Sequence, residues 1–301
     1  MNYLGKKPML YRIRRWFQAS ATKLFGYVFM SRVYYRIVMK QKLNLKSPQT
    51  FNEKLQWLKL YSYPQNKTII QCADKYAVRE YLIEKGLGKY LNQLIGVWDR
   101  ADDIDWSILP EQFAIKCNHG CAYNIICRDR KTFDTNFAQK QLSHWMTEDF
   151  SLFNCEVHYH YIKRKIICEK YIETADGSFP IDYKFYCFNG IPKFIGVFID
   201  RDIKLQRVFF DLNWNPLPYV KNNSVGKEPK KPICYEEMLN VVRELCRDFT
   251  FVRVDLYEMD QKVLFGELTF TPTGGLADFF TLEADLILGQ MLDISKEMNE
   301  D

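Results

Sequence analysis

The sequence predicts an α+β protein of two lobes with a basic helical extension at its N-terminus. Three observations carry that expectation. Residues 1–52 hold eleven Lys or Arg and no Asp or Glu, whereas the remainder carries 31 basic against 37 acidic groups. Helical periodicity dominates the first half, and β texture takes over from Ile166. Near the C-terminus, Phe251 to Gly275 reads as two alternating strands joined at Asp260-Gln261-Lys262. A chain of 301 residues with 47% apolar side chains can bury a sizeable core. The expected division is a basic amphipathic arm over 1–50, a first lobe over 51–167 and a second lobe over 168–301.

The elements follow in order. In the arm, Trp16, Phe17, Leu24, Phe25, Val28, Phe29, Val33, Tyr34, Ile37 and Val38 are interleaved with Arg12, Arg14, Arg15, Lys23, Arg32 and Arg36 at near-helical spacing. Such a stretch can lie on an anionic bilayer, grip an acidic polymer, or pack on the body with its cations in water. Thr50 followed three residues later by Glu53 is a capping box that opens a helix ending near Tyr61. Ala73 to Gly86 reads as one helix with Gly86 as its stop. Phe113 to Lys116 and Asn124 to Cys127 read as strands joined by a polar turn around Gly120, and Phe137 to Phe150 as a helix. Strands are expected at 166–172, 183–188, 193–198 and 208–212, then a helix from Glu236 to Arg247, the hairpin, and a last helix from Leu282 to Met298.

The hairpin is the best guide to chemistry. Val252, Val254 and Leu256 share one parity with Leu264, Leu268 and Phe270, so a common core face requires paired positions that sum to an even number. A turn that pairs 259 with 263 satisfies this and sets Asp255 opposite Glu267. Side-chain carbons of opposed residues lie about 4.5 to 5.5 Å apart, and two carboxylates at that distance repel. Something positive should sit between them. A divalent cation with oxygen ligands, Mg²⁺ on nucleotide phosphates, is one candidate, and Arg253 as a local counter-charge is the other.

Other classes recede. Nine cysteines, odd in number and scattered, with no apolar signal segment, point to a reducing, cytoplasmic setting. Leu24 to Met30 is far short of the roughly 20 residues that span a bilayer. No nucleic-acid recognition motif accompanies the basic arm. Cys117 and Cys121 with Cys127 invite a zinc reading, but no second close pair supports it.

Several polar groups fall where a nucleotide could lie between the lobes. Lys116 ends a strand just before Asn118-His119-Gly120, as suits a lysine reaching phosphates that backbone N–H groups cap, and Asn124 opens the returning strand. Glu169, Lys170 and Ile172 follow an apolar strand where the chain passes to the second lobe. Asp182 and Lys184 open the next strand. Arg79, Arg201 and Arg253 could grip a carboxylate ligand, because a guanidinium fork matches it bidentately, or could equally serve as salt bridges of the fold.

This order resembles the ATP-grasp superfamily, and the wording is similar to its TupA-like branch, typified by the teichuronopeptide biosynthesis protein. The phrases that carry the resemblance are ADKYAVREYL (73–82), LPEQFAIKCNHG (109–120), ICEKYIE (167–173), DYKFYCFNGIPKFIGVFIDR (182–201), FFDLNWN (209–215) and RVDLYEMDQKVLFGELTFTPTGG (253–275). The resemblance implies ATP between two α+β lobes, with Lys116 and Lys184 on phosphates and Glu169 and the backbone near Ile172 on adenine. It also implies Mg²⁺ on Asp255 and Glu267. One position departs from the pattern: the superfamily usually has Asn two residues after the metal-binding Glu, and this chain has Thr269. A hydroxyl is a poorer ligand than an amide carbonyl.

The implied chemistry is ligation of a carboxylate to an amine through an acyl phosphate, which needs positioning and charge neutralisation more than a protein nucleophile. Branch members are linked to cell-surface polysaccharides. A uronic-acid acceptor, with an amino acid or amine as partner, would therefore give the basic arm a purpose at an anionic glycan or the inner membrane face. A glycosyltransferase is the alternative; it would require a nucleotide-sugar pocket in an N-terminal α/β domain.

Overall fold

The computed structural model describes residues 8–172, 174, 180–199, 205–221 and 229–298. Two helices, α1 (Pro8–Phe25) and α2 (Tyr27–Met39), form the arm, and Gly26 breaks them apart with φ of +79°. α3 (Phe51–Tyr61) starts on the expected capping box: Thr50 Oγ1 accepts from the Glu53 N–H at 3.2 Å, and Glu53 Oε2 accepts from the Thr50 N–H at 3.2 Å. A cap of this kind contributes about 1 kcal/mol.

The helix expected over 73–86 is confined to α5 (Val78–Glu84), and a helix not expected from the sequence, α4 (Lys67–Ala73), ends where it was to begin. Asp74 separates the two by accepting from the N–H groups of Tyr76 and Ala77, which offers the backbone an alternative to the helical ladder. β1 (Leu94–Trp98), not expected from the sequence, precedes the hairpin β2 (Phe113–Cys117) and β3 (Asn124–Cys127). α6 (Thr135–Thr147), α7 (Ser151–Asn154) and β4 (Ile166–Lys170) complete the first half. β5 (Asp182–Phe188), β6 (Ile191–Ile199), β7 (Gln206–Asp211) and β8 (Pro216–Leu217) follow. Then come α8 (Tyr235–Cys246), the hairpin β9 (Phe251–Met259) and β10 (Lys262–Thr269), α9 (Leu282–Met291) and α10 (Ser295–Met298).

The described strands form two antiparallel sheets, one of order β1-β4-β2-β3 and one of order β10-β9-β5-β6-β7-β8. Each sheet has its own buried cluster. Phe113, Ile115, Cys168, Leu142 and Trp145 close the smaller one under α6, while the larger gathers the six-stranded sheet with α3, α4, α5, α8 and α9. The expected boundary at 167/168 falls inside β4, which pairs with β1 and β2. Phe51, Leu55, Leu58 and Leu82, expected in the first lobe, lie in the larger core. The apolar faces of α3 to α5 are covered by a sheet nearly a hundred residues downstream, a long-range choice that local pattern does not encode.

Candidate active site

The hairpin reaches the expected opposition of Asp255 and Glu267 by another route. The turn is tighter than expected, Asp260-Gln261 alone with φ of +49° and +58°, and it pairs Met259 with Lys262. That register would put Asp255 out of line with Glu267. A bulge at Gly266 restores it, so that the ladder resumes with Glu267 opposite Asp255 and Thr269 opposite Arg253. Parity switches with the bulge: Val263 and Phe265 are buried before it, Leu268 and Phe270 after it, and Leu264 leaves the core face. Gly266 lacks the Cβ that would come within 2.9 Å of the Asp255 carbonyl oxygen.

Pairing across three strands then builds a row. Lys184 on β5 lies opposite Asp255 on β9, which lies opposite Glu267 on β10. Lys184 Nζ contacts the Asp255 carboxylate and lies 3.3 Å from Asp182. Arg253 takes Asp255 as a fork, Nε to Oδ1 and Nη2 to Oδ2, both at 2.7 Å. The same guanidinium reaches Glu267 at 3.4 Å and Thr269 Oγ1 at 3.1 Å, and Thr269 donates to Glu267 at 3.1 Å. The positive group between the two carboxylates is thus Arg253.

The two carboxylates differ. Asp255 is 1% exposed and enclosed by cations, whereas the Glu267 side chain is 42% exposed. Burial drives the Asp255 carboxyl up, against the pull of Arg253 and Lys184. At Glu267, desolvation is outweighed by Lys75, Arg253 and Lys184, which bring its carboxyl down to about 2. Two carboxylates and a hydroxyl are hard oxygen donors of the kind Mg²⁺ takes. Glu267 is the one with oxygen open to the cleft, and a metal reaching Asp255 competes with Arg253 and Lys184.

Opposite the hairpin lies the smaller sheet, and between them a cleft of about 210 Å³ opens to solvent. Its walls include Arg79, Lys116, Asn124, Glu169, Lys170 and Ile172 from the first half and Tyr257, Gly266 and Glu267 from the hairpin. Lys116 Nζ lies 2.6 Å from one Glu169 oxygen and Arg79 3.2 Å from the other. Arg79 also donates to the Asn92 carbonyl at 2.9 Å. Of the two roles open to Arg79 in the sequence, the salt bridge of the fold is the one seen, with Glu169, and its side chain also lines the cleft.

In the turn after Lys116 the Asn118 and His119 side chains point into the fold. Asn118 is buried and donates to Asp74 at 2.8 Å and to the Lys163 carbonyl at 2.9 Å, while accepting from the Lys165 N–H at 2.7 Å. His119 is buried against the Trp145 carbonyl at 3.1 Å, and burial together with Arg164 lowers its pKa to about 4. Gly120 packs so closely that a Cβ would come within 2.6 Å of Phe150. Neither the Asn118 nor the His119 side chain lines the cleft. Arg201 lies outside the described residues.

His119 gives this turn a pH signature. Above the ordinary histidine value of 6.5 the ring is neutral in both states; between 6.5 and 4 the unfolded chain takes up a proton that the folded chain does not. Stability from this group is therefore full above pH 6.5 and is lost as pH falls toward 4, by up to about 1.4 kcal/mol per pH unit. Urea midpoints of the protein and of His119→Gln should converge across that window. Parallel pH profiles would contradict the buried neutral ring.

Sequence reasoning missed Lys75. It lies between α4 and α5, lines the cleft, donates to the Gly120 carbonyl at 2.5 Å and is the first of the cations that hold Glu267 ionised. A lysine inside an expected amphipathic helix reads as solvated surface, and only the break at Asp74 turns it inward.

The TupA-like ATP-grasp family model matches residues 53–293. The chain belongs to the TupA-like ATP-grasp family. As a member it has the ATP-grasp fold and is a carboxylate–amine ligase by family. Among solved structures it is similar to D-alanine–D-alanine ligase from Helicobacter pylori, with 16% identity and a TM-score of 0.42 over 82% of this chain and 70% of that one. D-alanine–D-alanine ligase from Bacillus anthracis complexed with ATP gives 13%, 0.45, 77% and 70%. L-amino acid ligase from Bacillus licheniformis gives 15% and 0.46 over 75% of this chain and 51%, about half, of that one. No curated protein matches in sequence.

Proposed function

We propose that this TupA-like ATP-grasp protein joins a carboxylate of a uronic-acid-containing cell-surface polysaccharide, or its precursor, to an amino acid or other amine. The observation that carries the reading is the row Lys184, Asp255, Glu267, bridged by Arg253 and set across a cleft from Lys116 and Glu169. The γ-phosphoryl of ATP passes to a carboxylate oxygen and ADP leaves. The amine nitrogen then attacks the acyl carbon, phosphate departs with that oxygen, and the amine loses its proton.

In this reading Lys116 meets the phosphates, Glu169 with Lys170 and Ile172 holds the adenosine end, and Lys184 keeps Asp255 in place. Arg253 faces charge that develops on the acyl group, and Thr269 orients Glu267. Mg²⁺ on Glu267 and Asp255 would supply charge neutralisation for the transferring phosphoryl. The cleft is smaller than the roughly 300–1,000 Å³ of small-molecule sites, so nucleotide entry requires side chains to part. The Lys116–Glu169 pair is placed to do so.

The basic arm, residues 1–46, would keep the enzyme beside an anionic surface, a polyuronate or the inner face of a membrane. Among the described residues no helix is long and apolar enough to cross one. The glycosyltransferase alternative gains no support, since the described strands of both sheets are antiparallel. The test is a matrix of uronates and amino acids with purified protein and Mg-ATP, read by release of ADP and phosphate. Release that requires one uronate and one amine supports the proposal; nucleotide-sugar turnover without ATP use would replace it.

A further inference from the structure

We infer that the arm is an interfacial anchor whose apolar stripe inserts into an anionic bilayer, which makes lipid, rather than soluble glycan, its partner. This rests on the surface role proposed above for the arm and is independent of the ligase chemistry.

The arm is fixed to the body along one side. Thr22 Oγ1 donates to the Leu152 carbonyl at 2.8 Å, and Gln18 donates to the Phe153 carbonyl at 3.1 Å. The Arg15 guanidinium lies 3.8 Å from the Phe153 ring centre. On α2, Tyr35 is 1% exposed. These contacts remove the freedom to fold the other side inward, and that side is apolar. Ile13, Phe17 and Leu24 recur at four and seven residues, which is one face of a helix, with Trp16 beside them. Phe25 and Phe29, with ring centres 5.2 Å apart, carry the stripe across the Gly26 break onto α2. Exposure of these six runs from 51% at Phe29 to 75% at Leu24.

An exposed patch of large apolar side chains marks an interaction surface. Its charge setting selects the partner. Arg12, Arg14, Lys23, Arg32 and Arg36 are all exposed around the stripe and no carboxylate occurs within residues 1–52; Glu148 and Asp149 of the body line the groove on one flank, beside Arg12, Trp16 and Lys23, so cations outnumber carboxylates at the rim. An apolar face rimmed by cations matches acyl chains beneath anionic headgroups, where such a helix buries its apolar side roughly 5–10 Å deep. A soluble polyuronate would satisfy the cations and leave the stripe in water. A second copy of the chain would bring like charges together at the rim.

The anchor also touches the turn between β2 and β3. Arg15 Nη1 donates to the Tyr123 hydroxyl at 3.3 Å, and Tyr123 lies in the β2–β3 turn, which begins next to Lys116. A bilayer under the stripe therefore lies on the side of the molecule that carries this turn, as suits a membrane-linked acceptor.

The test uses the full chain with vesicles of phosphatidylglycerol and phosphatidylcholine, of phosphatidylcholine alone, and with soluble polygalacturonate. Sedimentation with the anionic vesicles should persist in part at about 1 M salt, where the Debye length is near 3 Å. Phospholipids brominated in the acyl chain should quench Trp16 fluorescence, the signal being lost in Trp16→Phe. Phe17→Glu with Leu24→Glu, both at exposed positions, should weaken vesicle binding at least tenfold with ATP affinity and melting unchanged. Complete release by salt without quenching would overturn insertion. So would polygalacturonate binding that the double variant loses equally, or a dimer in solution that the double variant dissociates with no vesicle binding.

Discussion

Glu267→Gln should lower Mg-dependent turnover by at least about a hundredfold while costing much less stability than the same change at Asp255. Asp255→Asn should lower turnover comparably and destabilise the fold by about 3–5 kcal/mol. The hairpin pattern alone gives another expectation, that removing either carboxylate relieves repulsion and leaves stability level or higher. Burial separates the two. Asp255 is 1% exposed and holds the Arg253 fork and Lys184, so its loss leaves these buried cations with their longer contacts to Glu267 at 3.4 Å and Asp182 at 3.3 Å. Glu267 is 42% exposed and 3.4 Å from Arg253, a contact whose loss costs little. Paired urea titrations and ADP-release assays check both; equal stabilities for the two variants would contradict the buried Arg253–Asp255 fork.

Lys116→Ala should weaken ATP binding about 10- to 100-fold while adenosine binding stays within about twofold. Lys116 has a side chain 23% exposed in the cleft and, among the described residues, only Glu169 as its ion-pair partner, so the loss falls on phosphates. Lys184→Ala is a different experiment. That side chain is 9% exposed between Asp182 and Asp255, and its removal takes a cation from two buried carboxylates, leaving Asp255 to the Arg253 fork. Its variant should lose stability and both ligands together. Calorimetry with ATP and adenosine separates these cases, and equal loss of both ligands in Lys116→Ala would mean that Lys116 acts through the fold.

What the sequence made legible was local. The capping box at Thr50, the strands of both sheets apart from β1 and β8, and the opposition of Asp255 to Glu267 could be read from short-range pattern. The route to that opposition could not, because an even-sum register is met equally by a three-residue turn and by a two-residue turn with a bulge. Arg253 illustrates the next limit: its alternation marked it as sharing the face of Asp255, but only the structure shows the fork that fills the gap between the carboxylates. Asn118 and His119 are polar residues in a turn, which ordinarily means solvent, and both are buried by α6 and the segment before β4. The arm mixed both outcomes. Its periodicity foretold helices, while the docked side chosen by Thr22, Gln18 and Tyr35 depends on partners more than a hundred residues away for the first two.

One measurement bears most directly on ligation through an acyl phosphate. A uronate acceptor labelled with ¹⁸O in its carboxylate is incubated with the protein, Mg-ATP and the amine that supports turnover, and the released phosphate is analysed by mass. Transfer of one ¹⁸O into phosphate, in step with ADP and amide formation, is the expected result. ADP and phosphate released without ¹⁸O in the phosphate would contradict it.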